Sequence, residues 1–249
     1  MSVEPVSEDV DRIHAEIVQA GESAAAVATL MAGREPPDNV MLALLRRALP
    51  KRFLEYVART EPWASRTLVL TAVLTNPRVD TALSLRLLPQ LPWRALATVS
   101  ATPWVNGVVK VRADALLTEM LTDLKLGERI ALGRIAGRSI AARLLADRDT
   151  KVLDATLANP RLLPDDLLRA INGAAPPRLL LEAISASARW RELYAVRLAL
   201  VLQPRTPLAL ALAHLSALTP RDLARVAASG SLIPLVCAAA QRVLTDRQR

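Results

Sequence analysis

Short apolar runs dominate the chain, and prolines separate them. Runs rich in Leu, Ala and Val end at Asn76-Pro77-Arg78, Asn159-Pro160-Arg161 and Gln203-Pro204-Arg205, and a further apolar run follows each tripeptide. Runs in which apolar and polar residues alternate, the signature of strands, are missing. Proline lacks an amide hydrogen and clashes with the preceding turn, so each tripeptide predicts the end of one helix before the next begins. The pattern predicts an all-α chain.

The prolines recur at a nearly constant spacing. From Pro77 to Pro160 and from Pro160 to Pro204, the spacing corresponds to two repeats and one repeat of roughly 42 residues, the period of HEAT and armadillo arrays. The shift that carries Pro77 onto Pro204, named below the three-period shift, also aligns Leu85 with Leu212. We interpret each period as a pair of helices that stacks on its neighbours around a shared core.

One segment resembles a known repeat family. Asp149, Val152, Ala155 and Leu157 have nearly the spacing of the second helix of a HEAT unit, and Asn159-Pro160 resembles the end of leucine-rich-repeat-variant and related bacterial helical repeats. Leu153 stands where HEAT units usually carry the arginine of an inter-repeat Asp–Arg ladder, so the chain departs from the family there. The resemblance covers residues 36–245 loosely. It implies a right-handed α-solenoid of HEAT-like helix pairs, usually a binding scaffold, and it supplies no catalytic residue.

Charge divides the chain unevenly. Residues 1–40 contain eight acidic and two basic residues, for a net charge of −6, whereas residues 41–249 contain 30 basic and 16 acidic residues, for +14. We predict an acidic N-terminal helical cap at residues 1–35 and the repeat array at residues 36–249. The basic residues are 28 Arg and four Lys. This excess has two interpretations: the base composition of a GC-rich genome, or a surface for nucleic acid or acidic protein.

The expected location follows from what the chain lacks. Cys237 is the only cysteine and lies in an apolar run, so no internal disulfide can form, as is usual in a reducing cytoplasm. The N-terminal residues contain no apolar segment typical of a secretory signal. No run reaches the ~18 apolar residues that a membrane span requires. We therefore expect a cytoplasmic protein without a membrane span, and the resemblance to bacterial helical repeats implies a bacterial source.

The sequence offers little catalytic chemistry. His14 and His214 are the only histidines and lie near opposite ends of the chain, so no zinc-ligand spacing is present. Glycine-rich phosphate loops and a Gly-x-Ser-x-Gly elbow are also missing. The tryptophans invite comparison with HEAT-like DNA glycosylases, whose signature segments we do not find. We predict a protein that is not an enzyme and has no cofactor, metal or small-molecule substrate.

A repeated arginine gives the candidate binding residues. The Leu-Pro-x-Arg block and its more divergent copies supply Arg52, Arg94, Arg129, Arg178 and Arg221. Regular stacking would align these side chains as a ladder about 10 Å apart, able to hold phosphates or an acidic peptide; alternatively, they are solvated or paired with nearby carboxylates. Trp93 takes the variable position of the block and is expected to be exposed beside the ladder.

These observations favour a scaffold or adaptor that binds a protein partner through the solenoid surface. The alternative is a HEAT-like module that binds nucleic acid through the basic part of the chain. A structure that shows where the arginines point would distinguish the two.

Overall fold

The computed structural model describes residues 4–247, with side chains from Asp9 onwards. Short α-helices joined by turns account for most of these residues, and no β-strand occurs among them, which confirms the all-α prediction. The helices are α1 Glu4–Ala20, α2 Ala24–Met31, α3 Asp38–Leu45, α4 Lys51–Arg59, α5 Thr67–Leu74, α6 Thr81–Leu87, α7 Trp93–Ala101, α8 Gly107–Met120, α9 Leu126–Ile135, α10 Arg138–Leu144, α11 Thr150–Leu157, α12 Pro164–Ile171, α13 Arg178–Ala186, α14 Ala188–Arg191, α15 Tyr194–Leu202, α16 Leu208–Leu215, α17 Pro220–Ala227 and α18 Pro234–Asp246.

Prolines and polar caps fix the ends of these helices. Pro164, Pro220 and Pro234 begin α12, α17 and α18, where the missing amide hydrogen costs no helical hydrogen bond. Asp80 and Asp149 precede α6 and α11, and each carboxylate accepts a hydrogen bond from a first-turn amide. Most helices are consequently about two turns long, too short to be stable without tertiary packing.

The period holds three helices, where the sequence pattern led us to expect two. It starts at α2, α5 and α8 in one part of the chain, and at α11, α15 and α18 in the other. Between two successive starts lie three regular helices, such as α5, α6 and α7. Prolines and polar caps interrupt the apolar pattern about every 14 residues, so roughly 42 residues accommodate a triplet of short helices.

The chain divides into two compact units, residues 1–123 and 124–249, and the second repeats the first. The contact between α3 and α5 recurs between α12 and α15, and that between α7 and α8 recurs between α17 and α18. Core residues buried in both units are related by the three-period shift: Phe53 and Leu180, Val57 and Ile184, Trp63 and Trp190, Val69 and Val196, Leu88 and Leu215, Leu96 and Leu223, Val99 and Val226, Val109 and Val236, Ala113 and Ala240. The shift found in the sequence is therefore a relation between two similar hydrophobic cores.

The amide residue before each repeated proline ties one helix to an earlier one. Asn76 Nδ2 donates to the carbonyls of Leu45 (2.8 Å) and Arg47 (2.7 Å) at the end of α3. Asn159 Nδ2 donates to the carbonyls of Gly133 (2.8 Å) and Ala136 (3.1 Å) at the end of α9. Gln203 Nε2 donates likewise to carbonyls at the end of α12. The carbonyls that a helix leaves unpaired at its C-terminus thus obtain donors from a later helix.

Gly133 allows this contact in the second unit. A Cβ atom at this position would lie 2.8 Å from Thr156 Oγ1 and 3.2 Å from the Thr156 amide nitrogen on α11. The missing side chain therefore lets α9 and α11 approach closely enough for Asn159 to reach the end of α9.

Two sequence predictions concern boundaries and membranes. The division between a cap at residues 1–35 and an array at residues 36–249 stays a prediction. None of the described helices combines the length and the apolar character needed to cross a bilayer.

Candidate binding surfaces

The five predicted arginines do not share one helix position. Arg52, Arg94 and Arg221 are the second residues of α4, α7 and α17, Arg178 is the first residue of α13, and Arg129 is the fourth residue of α9. Their alignment as a ladder stays a prediction, and the local contacts of each can be described.

Arg52 and Arg178 pair with carboxylates on their own helices. Arg52 Nη1 lies 2.9 Å from Glu55 Oε2, and Arg178 Nε lies 2.7 Å from Glu182 Oε1. The three-period shift carries Glu55 onto Glu182 but Arg52 onto Leu179, so only the acidic partner recurs at the same position. Both arginines are exposed, and such pairs contribute little to stability.

Arg129 has a structural role instead. Its Nε donates to Asp147 Oδ2 over 2.9 Å and its Nη1 donates to the Leu124 carbonyl over 3.0 Å. The ion pair is largely shielded from solvent. This guanidinium joins α9 to the turn after α10, which leaves it less available to a ligand.

Arg94 and Trp93 interact with each other. The Arg94 guanidinium lies 4.8 Å from the centre of the Trp93 ring, at cation–π distance. Trp93 is half-buried, less exposed than its variable position led us to expect, while Arg94 and Arg221 are exposed.

Three other tryptophans occupy one repeat position. Trp63, Trp104 and Trp190 each follow the third helix of a period. Trp104 Nε1 donates to the Thr75 carbonyl at the end of α5 (2.7 Å), and Trp190 Nε1 donates to the Leu157 carbonyl at the end of α11 (2.8 Å). Trp63 and Trp190 are only 2% exposed, whereas Trp104 is 64% exposed. Trp104 therefore makes the same indole-to-carbonyl hydrogen bond as Trp190 but presents an indole face to solvent.

Trp104 borders an apolar groove in the first unit. The groove lies along α3, α5 and α7, has a volume of about 510 Å³, and has Arg46 as its one charged residue; it is lined by Leu42, Leu45, Arg46, Leu68, Thr71, Ala72, Thr75, Pro77, Thr98 and Trp104. Leu68 at its edge is 70% exposed. A large Leu and a large Trp exposed at one groove form an unusual surface for a protein alone in water.

The same repeat position in the second unit, which Trp190 occupies, is basic. Arg189 stacks on Trp190, with the guanidinium carbon 4.1 Å from the ring centre, and donates to the carbonyls of Asn159 (2.9 Å) and Leu162 (3.3 Å). The groove between α11 and α13 is smaller, about 430 Å³, and includes Asp154 and Arg189. Where the first unit exposes an indole, the second therefore presents a guanidinium.

More arginines surround the loop between α11 and α12, whose carbonyls Arg189 binds. Arg161 Nη1 donates to the Ile135 carbonyl (3.3 Å), and Arg138 Nε contacts both carboxylate oxygens of Asp166 (3.1 and 2.8 Å). Arg169 also bonds to Asp166. Burial of the Asp166 carboxyl would by itself raise its pKa, but Arg138, the Leu163 amide and Arg169 outweigh burial and lower the pKa below 3.8. Asp166 is consequently an anion at neutral pH, and its carboxylate caps the start of α12 by accepting a hydrogen bond from the Leu163 amide.

His214 contacts a serine of a neighbouring helix. His214 Nε2 lies 3.0 Å from Ser185 Oγ between α16 and α13. Burial of the imidazole, reinforced by Arg197 and opposed by Glu192, lowers the pKa of His214 below its usual 6.5. Within the described part of the chain, no group of three His, Cys, Asp or Glu side chains is placed to hold a metal.

Sequence reasoning missed both surfaces. Trp63, Trp104 and Trp190 follow one another at close to one period and then two, which places them at one repeat position, but only burial separates the exposed one from the other two. Arg138, Arg161, Arg169 and Arg189 share no motif, because they come from four separate segments of the chain.

Comparison with known proteins finds no matching family model, no similar curated protein and no similar solved structure. The surfaces described above therefore carry the functional argument.

Proposed function

We propose that this chain is a non-enzymatic helical-repeat scaffold, a right-handed HEAT-like α-solenoid of bacterial cytoplasm, that binds a protein partner. The support is architectural: two similar units built from short helices at a period of roughly 42 residues, as in binding arrays. Three helices to a period are the armadillo variant of that design. The partner site is the groove of the first unit.

The exposure of Trp104 and Leu68 carries the proposal. A Trp that is 64% exposed and a Leu that is 70% exposed both line a groove of about 510 Å³. The hydrogen bond from Trp104 Nε1 to the Thr75 carbonyl fixes the indole at one edge. Because the ring is already held in place, the Trp104 side chain loses little conformational freedom when a partner covers it. Buried Trp residues are also the commonest centres of protein interfaces.

The groove favours an amphipathic helix with acidic flanks as its occupant. No strand edge is present among residues 4–247, so a peptide has no sheet to extend and must bind through its side chains. Apolar residues on one face of a partner helix would pack against Leu42, Leu68 and Ala72. The one charged residue in the lining, Arg46, is positive and exposed. A carboxylate beside the apolar stripe would complete the match.

Selection from a displayed library of random 16-residue peptides tests the proposal. Peptides selected on the full chain should carry apolar residues at i, i+3 or i+4, and i+7 with nearby Asp or Glu. Trp104→Ala should weaken the binding of synthetic versions by more than about tenfold, as expected for a central interface tryptophan. Binding is measured by isothermal titration calorimetry.

Trp93→Ala is the matched control, because it removes a tryptophan from α7 outside the groove lining. It should leave peptide affinity unchanged. If the selected peptides bind Trp104→Ala as tightly as the unaltered chain, or if no peptide is enriched, the groove is not the partner site. Equal losses in the two variants would also contradict it.

A further inference from the structure

We infer that the basic loop between α11 and α12 of the second unit binds the phosphate backbone of a nucleic acid. The arginines concerned are Arg134, Arg138, Arg161, Arg169 and Arg189, named below the loop arginines. This surface is separate from the Trp104 groove and does not depend on it.

Hydrogen bonds bring the loop arginines together. Arg189 binds the carbonyls of Asn159 and Leu162, on either side of Arg161. Arg161 in turn reaches the Ile135 carbonyl, next to Arg134 at the end of α9. Arg138 and Arg169 meet at Asp166, in the first turn of α12. The side chains of Arg138, Arg161, Arg169 and Arg189 therefore surround the segment from Asn159 to Asp166, and Arg134 is the chain neighbour of the residue whose carbonyl Arg161 binds.

The charges of this loop are not balanced locally. Arg134, Arg161 and Arg189 are exposed, and the carboxylates of the loop and the first turn of α12 are Asp165 and Asp166. Asp166 is shared by Arg138 and Arg169, so those three groups together still carry one positive charge. With Asp165, and with Asp154 of the groove that Arg189 lines, the five arginines and three aspartates leave a net charge of +2.

The second unit carries the positive charge of the chain. Residues 124–249 contain 19 Arg and Lys against 10 Asp and Glu, a net charge of +9, whereas residues 1–123 contain 13 against 14, a net charge of −1. A field of this sign attracts a polyanion before contact and raises the rate of association. The loop arginines offer such a polyanion its short-range hydrogen bonds.

The surroundings favour nucleic acid over an acidic protein. Stable protein interfaces have an apolar or aromatic centre inside a polar rim, and beside these arginines the one large exposed apolar side chain of the loop is Leu163. A phosphate backbone requires no apolar centre, and arginine binds phosphate oxygens through two parallel hydrogen bonds. Hydrogen bonds to carbonyls already orient the guanidiniums of Arg161 and Arg189, which reduces the side-chain entropy lost when phosphate binds.

Fluorescence anisotropy with a labelled 20-base-pair DNA duplex and an RNA duplex of the same sequence tests the inference. With about three phosphate contacts, the slope of log K against log salt is expected to be about −2.7, so affinity falls roughly 40-fold between about 50 and 200 mM NaCl. The double variant Arg134→Ala/Arg161→Ala should weaken binding at about 50 mM by tenfold or more and reduce the slope to about −1.

The variant Arg225→Ala/Arg242→Ala, at two exposed arginines of α17 and α18, is the control. It removes the same two charges from the same unit, but at exposed positions outside the loop, and should change affinity and slope little. Circular dichroism and urea unfolding verify that both variants fold. Several outcomes overturn the inference: no salt-dependent binding to either duplex, equal losses in the two double variants, a loss confined to the control, or binding of poly-glutamate without binding of nucleic acid.

Discussion

Ser185 and His214 form a hydrogen-bonded pair where the first unit has two apolar residues. Their counterparts under the three-period shift are Ala58 and Leu87, both buried. The second unit thus places a hydroxyl and an imidazole at a contact that the first fills with hydrocarbon. The distance of 3.0 Å satisfies both polar groups, which supports a structural role for this histidine.

The pair predicts a pH dependence of stability. Burial, together with Arg197, lowers the pKa of folded His214 below 6.5, against the effect of Glu192. The unfolded chain therefore binds a proton as pH falls through about 6.5 before the folded chain does, and stability is lost in that range. The double variant Ser185→Ala/His214→Leu, which copies the first unit, should lose less stability between about pH 7.5 and 5.5. Urea unfolding at the two pH values measures the difference.

The single variant His214→Leu supplies the comparison. It leaves the Ser185 hydroxyl without its partner and should be less stable than the double variant by about 1 kcal/mol at about pH 7.5. Identical pH dependence in all three proteins would show that the imidazole does not contribute.

At the scale of elements, one amide side chain holds two helices together in three of the periods, those that begin at α5, α11 and α15. Asn76, Asn159 and Gln203 each donate to the carbonyls at the end of an earlier helix, and their own carbonyl oxygens accept from the amide two residues on. Helices of two turns leave half or more of their carbonyls without internal partners. Such ties therefore matter more here than in an array of long helices.

Asn159→Ala should lower the free energy of unfolding by about 3 kcal/mol. The change removes two hydrogen bonds to Gly133 and Ala136 and one from the Arg161 amide, each worth about 1 kcal/mol in a buried site. Urea unfolding followed by circular dichroism measures the loss. Asn172→Ala, at an exposed residue after α12, should change stability by less than about 0.5 kcal/mol. Similar losses in the two variants would contradict the tie.

At the scale of the whole molecule, the chain consists of two similar units with different surfaces. Many core positions are buried in both units under the three-period shift, while the net charges are −1 and +9. Core positions tolerate only changes that preserve volume and packing, whereas surface positions are free to diverge. The proposed protein-binding groove and the proposed phosphate-binding loop lie in different units, at related positions of the repeat.

Each unit should fold on its own. The second unit contains its own buried cluster, formed in part by Val201, Leu215, Leu223 and Val236, and the ties of Asn159 and Gln203 lie within it. A chain of residues 124–249 should therefore give a helical circular dichroism spectrum and a cooperative thermal transition. A spectrum without helix, or a gradual loss of signal on heating, would show that this unit depends on the remainder of the chain.

Part of the fold could be predicted from the sequence alone. The all-α class, the ends of the helices at Asn76-Pro77 and Asn159-Pro160, and the three-period shift all follow from local properties. Proline, helix caps and apolar spacing act within a few residues, so the chain displays them directly. The number of helices in a period was wrong, because a break of a few residues between two apolar runs is hard to distinguish from a bend within one helix.

The candidate surfaces depended on tertiary structure. Trp63, Trp104 and Trp190 occupy the same repeat position, yet only packing leaves Trp104 exposed beside Leu68, which lies on an earlier helix. The loop arginines come from segments as distant as Arg134 and Arg189, and only the folded chain brings them to one loop. The sequence by itself determined where helices begin, end and recur, since those features depend on neighbouring residues. Exposure and the proximity of distant side chains depend on how the helices pack, and so only the tertiary structure decided which residues form a surface.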